Sequence, residues 1–93
     1  MIYIVTYDLY QGNDARNYKY LLDLIKEEGI WACLGKSSYL IESYCSAEQL
    51  RNKFLEALDS RDKIYVGVVT APAAWNGYSK DVSDWILKNW INI

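Results

Sequence analysis

The 93-residue chain has no histidine, so it lacks both the side chain that titrates nearest neutral pH and the commonest metal ligand. Any metal it held would be a hard, oxygen-liganded ion such as Mg²⁺ or Mn²⁺. Its two cysteines, Cys33 and Cys45, stand in no close metal-ligand spacing and read as free, structural thiols of a reducing compartment. Positive charge is not in excess: 10 Lys and Arg face 12 Asp and Glu, a net −2. The whole-chain field therefore does not draw in nucleic acid. No apolar run approaches the ~20 residues of a membrane span, and no signal peptide precedes the first apolar stretch. A cytoplasmic protein without a membrane partner is expected.

What the chain does have is apolar surface. Hydrophobic residues make up 52% and charged residues 24%, the balance of a globular chain. Residues 1–93 form one domain, with 70–93 as a loop plus a C-terminal helical extension. Nine Tyr and four Trp raise the aromatic share to 15%. Such rings are enriched where proteins meet, so a homodimer is expected.

Ile2 to Asp8 (Ile-Tyr-Ile-Val-Thr-Tyr-Asp) is β-branched and aromatic, the composition of a buried strand, and closes on a carboxylate. A polar loop, Leu9 to Asp14, follows, with Asp14 as N-cap of a helix running to about Glu28. Tyr18, Leu21, Leu22 and Ile25 form its apolar stripe, and Gly29 supplies the left-handed end. Ile30–Leu34 and Ser38–Tyr44 read as a hairpin about Gly35-Lys36-Ser37. Ser46-Ala47-Glu48-Gln49 matches a capping box and opens a second helix with the stripe Leu50, Phe54, Ala57 and Leu58. Lys63–Val69 is a fourth strand. Thr70–Gly77, with the only proline and the turn pair Asn76-Gly77, is a loop. Ser79 or Asp81 caps a last helix carrying Val82, Trp85, Ile86 and Trp90 on one side.

This order predicts an α+β, ferredoxin-like βαββαβ fold: a four-stranded antiparallel sheet, two helices on one face and an extra C-terminal helix. Short connections place the first and third strands centrally. The first and fourth strands are apolar on both sides, so the second face needs a cover. A second copy of the chain is the expected one, with the C-terminal segment contributing.

The start Tyr3-Ile4-Val5-Thr6-Tyr7-Asp8-Leu9, in this strand order and length, resembles the small CRISPR-associated adaptation protein, the second Cas protein, and its relatives. Ser37-Ser38-Tyr39-Leu40-Ile41-Glu42 is similar to the family's third strand, and the likeness spans about the first seventy residues. The resemblance implies a ferredoxin-like homodimer in which Asp8 binds Mg²⁺ or Mn²⁺ at the two-fold axis. A symmetry axis would present two carboxylates from one sequence position, and the metal could activate water against a phosphodiester. The family's basic run after the aspartate is replaced here by Gln11-Gly12-Asn13-Asp14. The Trp-rich tail has its likeness among the family's relatives of unsettled function.

The residue-level readings remain open beside this one. Asp8 is a candidate catalytic and metal-binding residue, or a strand-end acid bonded to nearby amides. Tyr7 and Tyr10 can stack on a base or pack inside. Arg16, Lys19, Lys36, Arg61 and Lys63 can meet phosphates or water. Trp75, Trp85 and Trp90 read as anchors of the tail to the domain or to a partner. Glu27-Glu28 and Asp81-Asp84 read as exposed helix charges. Three functions follow: a metal-dependent endonuclease, a non-catalytic dimeric module docking nucleic acid or protein, and a Tyr/Trp-lined site for a nucleotide-like molecule.

Overall fold

The first strand, β1 (Ile2–Asp8), has hydrogen-bonding partners along both edges. That leaves no room for water along its backbone and selects the β-branched and aromatic residues it carries. The computed structural model describes residues 1–12 and 15–89. After β1 come α1 (Tyr18–Lys26), β2 (Ile30–Gly35), β3 (Ser38–Glu42), α2 (Ala47–Phe54) with a 3₁₀ turn at Leu55–Ala57, β4 (Lys63–Val68) and α3 (Lys80–Asn89). The sheet order is β2-β3-β1-β4, with every neighbouring pair antiparallel. The fold is therefore α+β, with a four-stranded antiparallel sheet and three helices. β1 and β3 are central, as the pattern predicts.

The period-two alternation of β1 divides the interior. Tyr3, Val5 and Tyr7 join Tyr39 and Ile41 of β3 in the larger core, under Leu21, Leu24 and Ile25 of α1 and Leu50 and Phe54 of α2. Each fully buried side chain of this size contributes roughly 1.5–3 kcal/mol. The capping box is present in full. Ser46 Oγ accepts from the Gln49 amide at 3.1 Å, and Gln49 Oε1 accepts from the Ser46 amide at 2.8 Å.

Several boundaries differ from the sequence reading: α1 closes at Lys26 and β4 at Val68, and three others have a visible cause. α1 begins at Tyr18 because backbone bonds of turn type precede it: Gly12 N–H donates to Leu9 O, Ala15 N–H to Gly12 O and Tyr18 N–H to Ala15 O. Leu9 and Ala15 are both buried. Asp14, the expected cap, lies outside the described residues; Asn17 takes the N-cap position with no capping bond from its side chain. β2 runs on to Gly35, since a register shift between Cys33 and Gly35 lets a two-residue turn close the hairpin. β3 stops at Glu42, which leaves Tyr44 fully exposed. At the end of α1, Gly29 adopts the expected left-handed conformation, φ +89°.

The second face is covered from within the chain around Ile2, Ile4 and Leu40. Ile86 of α3 packs on Ile2 and Leu40, with Ile4, Leu34, Val69, Trp75, Val82 and Trp85 around them. Ser79 Oγ accepts from the Val82 amide at 3.2 Å, capping α3 as expected. The helix therefore occupies a surface for which a second copy of the chain was the expected cover. Its stripe needs no partner to be buried, because the loop after β4 is long enough to bring it back across the sheet. Ile86→Ala is expected to lower the unfolding free energy by about 2–4 kcal/mol, read by urea denaturation followed through tryptophan emission. A loss below roughly 0.5 kcal/mol would mean that α3 adds nothing to the fold.

Candidate functional site

Where α3 leaves the second face uncovered, the sheet ends in polar residues. Asp8 closes β1 exposed to solvent, directly across from Lys63 of β4. Beside them Ser38 Oγ donates to Thr6 Oγ1 at 3.2 Å. Thr6, Tyr7, Asp8, Lys63, Ile64 and Tyr65 line an open groove of about 210 Å³. Tyr65 is 64% exposed, and its ring leans over Gly67, where a Cβ would come within 2.7 Å of the ring. Glycine at this position lets the ring lie along the strand, an aromatic covering an edge-strand glycine.

The neighbouring loops bring cations to the same end. The Lys36 carbonyl accepts from the Tyr7 hydroxyl at 3.2 Å, and the Ser37 carbonyl accepts from the Tyr7 amide at 3.0 Å. These bonds fix the β2–β3 turn beside the end of β1. Arg61 stands two residues before Lys63, with its guanidinium 4.3 Å from the centre of the Tyr10 ring, a cation–π contact. The turn that carries Lys36 and the strand end that carries Lys63 therefore lie beside the end of β1, while Arg61 stacks on the exposed Tyr10 and pairs with Asp59 at 3.3 Å. Arg16 is exposed further along, in a groove with Gln11, Asn17, Tyr20 and Glu56. Lys19 lies on α1 in an i,i+4 pair with Asp23 at 3.0 Å and is not part of the cluster.

Tyr7 borders this groove, but its ring is buried. It is 4% exposed and packs against Tyr18, with ring centres 6.2 Å apart. Burial, and then the Tyr18 hydroxyl, push its pKa far above the usual phenol range. Its role is structural, through the bond to the Lys36 carbonyl. Trp75 and Trp85 are half-buried in the second-face cluster, and Trp75 Nε1–H donates to Ser83 Oγ at 3.2 Å. Trp90 lies outside the described residues. Both thiols are free and exposed rather than packed in the core, so the structural role read for them has no buried contact to rest on.

The carboxylate that organises this end is Asp62, in the turn between α2 and β4. Its Oδ1 accepts from the Tyr10 amide at 2.8 Å, and its Oδ2 accepts from the Asp59 amide and from Asn17 Nδ2, each at 3.0 Å. Asn17 also donates to the Ala57 carbonyl. Burial raises the Asp62 pKa, but the Asp59 and Tyr10 amides, Asn17 and the Arg61 charge outweigh it and hold the value below the usual carboxylate range. One acid thus ties the β1–α1 loop to the α2–β4 turn. Partners 52 and 45 residues away leave no trace in local sequence.

Glu28, expected as an ordinary exposed charge, is a second tie of this kind. Its side chain is 11% exposed, because Gly29 turns the chain there against the end of β3. Ser43 Oγ donates to it at 2.7 Å and Lys53 Nζ at 2.8 Å. The bond to Glu28 is the main cause of the raised Lys53 pKa. Asp81 and Asp84 are exposed as expected, with Asp84 paired to Lys80 at 2.6 Å.

Among the described residues, no three metal-ligating side chains converge. Within one chain Asp8 is a single carboxylate, and a hard divalent ion needs several oxygens. No helix among them is long and apolar enough to cross a membrane. No protein-family model matches the chain, and no curated protein is significantly similar to it.

Asp62→Ala removes three hydrogen bonds to a charged acceptor at a partly exposed site and is expected to cost about 1–2 kcal/mol near neutral pH. The Asp62 pKa is lowered on folding, so its contribution is complete above the unfolded value of about 3.9 and fades as pH falls through the folded value. Thermal unfolding of wild type and variant across this range should converge in acid. A difference that does not depend on pH would remove the charge from the explanation.

Proposed function

We propose that this chain is a ferredoxin-like, homodimeric, cytoplasmic protein of the kind the second Cas protein represents, and that it engages the phosphate backbone of nucleic acid at the open end of its sheet. The observation that carries this reading is the position of Lys63 directly across from Asp8 and of the Lys36 turn beside the end of β1, with Arg61 stacked on the exposed Tyr10 and Tyr65 exposed on the strand of Lys63. Cations supply affinity for phosphates, and exposed rings can stack on unpaired bases. The strand order β2-β3-β1-β4 with helices α1 and α2 on one face supports the ferredoxin-like arrangement. The net charge of −2 confines the attraction to this local patch, so binding is expected to be weak and salt-sensitive.

A second reading rests on the exposure of Asp8. If a two-fold axis passed beside the groove, two Asp8 carboxylates would face a shared Mg²⁺ or Mn²⁺, which could polarise a phosphodiester and activate water. The residues that would hold the ion are Asp8 and its symmetry mate. The remaining ligands would be water and phosphate oxygens.

Binding of single-stranded DNA and RNA should weaken in Lys36→Ala and Lys63→Ala, and the slope of log affinity against log salt should shrink by roughly one per phosphate contact removed. Binding that ignores salt would overturn the phosphate reading. For the metal reading, Asp8→Ala should abolish Mg²⁺- or Mn²⁺-dependent cleavage while leaving the thermal unfolding transition in place. Cleavage unchanged in that variant would exclude Asp8 as the metal ligand.

A further inference from the structure

The loop between β4 and α3 carries the chain's one Asn-Gly pair, Asn76-Gly77. Both residues are exposed, and Gly77 has φ +91°. Among the described residues, no hydrogen bond engages the Asn76 side chain or the Gly77 N–H. We propose that Asn76 is a site of spontaneous deamidation in the folded protein, and that its isoaspartyl product loosens α3 from the second face of the sheet.

The chemistry needs only water. The Gly77 amide nitrogen attacks Asn76 Cγ, a new C–N bond closes a five-membered succinimide, and the side-chain nitrogen leaves as ammonia with the amide proton. Water then opens one of the two ring carbonyls. One opening yields aspartate. The other yields isoaspartate, in which the main chain runs through Cβ. The balance is one water consumed and one ammonia released. Glycine on the C-terminal side has no Cβ to obstruct the attack and accepts the backbone excursion that ring closure requires.

The position of this pair gives the reaction a structural consequence. Immediately before it, Trp75 is held in the second-face cluster and bonded to Ser83 at 3.2 Å. Shortly after it, Ser79 caps α3. The aspartyl product adds a negative charge to an exposed loop and nothing else. The isoaspartyl product adds a methylene to the main chain between two fixed anchors, so that Trp75 and the Ser79 cap cannot both keep their places without strain.

The test is incubation of the full-length native chain at mildly alkaline pH beside the same chain unfolded in urea, followed by peptide mapping and an isoaspartate assay. The expected result is conversion of Asn76 in the native chain, seen as the mass gain of exchanging NH₂ for OH, and lost in Asn76→Gln. Retention of Asn76 by the native chain overturns the proposal, whatever the unfolded chain does. For the consequence, the separated isoaspartyl form should show red-shifted tryptophan emission and faster proteolysis within α3, whereas Asn76→Asp should match wild type. An isoaspartyl form indistinguishable from wild type in both readouts would overturn it.

Discussion

The structure depends on the two-sided burial of β1. Hydrogen-bonded along both edges and packed on both faces, this strand can keep water away only if the chain supplies a cover above and below it. α1 and α2 cover the side of Tyr3, Val5 and Tyr7; α3 covers Ile2 and Ile4. The α3 cover gives out at the strand's last residues, where the second-face side chains turn from Ile4 to Thr6 and Asp8. The candidate site lies at this end of the second face because α3 does not reach it.

Exposure of a carboxylate at a strand end costs little, and around Asp8 the rest of the end is built from loops. The Tyr7 hydroxyl pins the β2–β3 turn, while Asp62 gathers the β1–α1 loop and the turn before β4. Neither group reaches toward a ligand. They hold the backbone from which Lys36, Tyr10, Arg61 and Lys63 project, so the surface chemistry rests on buried or half-buried hydrogen bonds beneath it. Glu28 plays the same part at the opposite end, joining α1, β3 and α2 through Ser43 and Lys53. In both places one acid satisfies donors from several elements.

The second face shows how an amphipathic pattern underdetermines its own partner. The apolar residues of β1, β3 and β4 state that this face is covered, and Val82, Trp85 and Ile86 state that α3 has something to cover. Neither states whether the two meet within one chain or between two copies. Chain connectivity favours the intramolecular solution, because the loop from Val69 to Ser79 confines α3 near the sheet at a high effective concentration. Dimerisation, if it occurs, must use surface other than that beneath Ile86.

Local sequence determined what local physics controls. The alternation in β1, the stripes of Leu21 with Ile25 and Leu50 with Phe54, the Ser46–Gln49 box and the left-handed Gly29 could all be read from the chain, because each depends on neighbours a few residues away. The strand order followed from them, since short connections leave few topologies open. Tertiary structure alone decided the late start of α1, the burial of Tyr7, the roles of Asp62 and Glu28, and the cover of the second face. In each case the deciding partner lies far away in sequence: Lys36 for Tyr7, Tyr10 and Asn17 for Asp62, Ser43 and Lys53 for Glu28, Ile2 and Leu40 for Ile86. A side chain's type states what bonds it can make. Only the fold brings up the group that makes them.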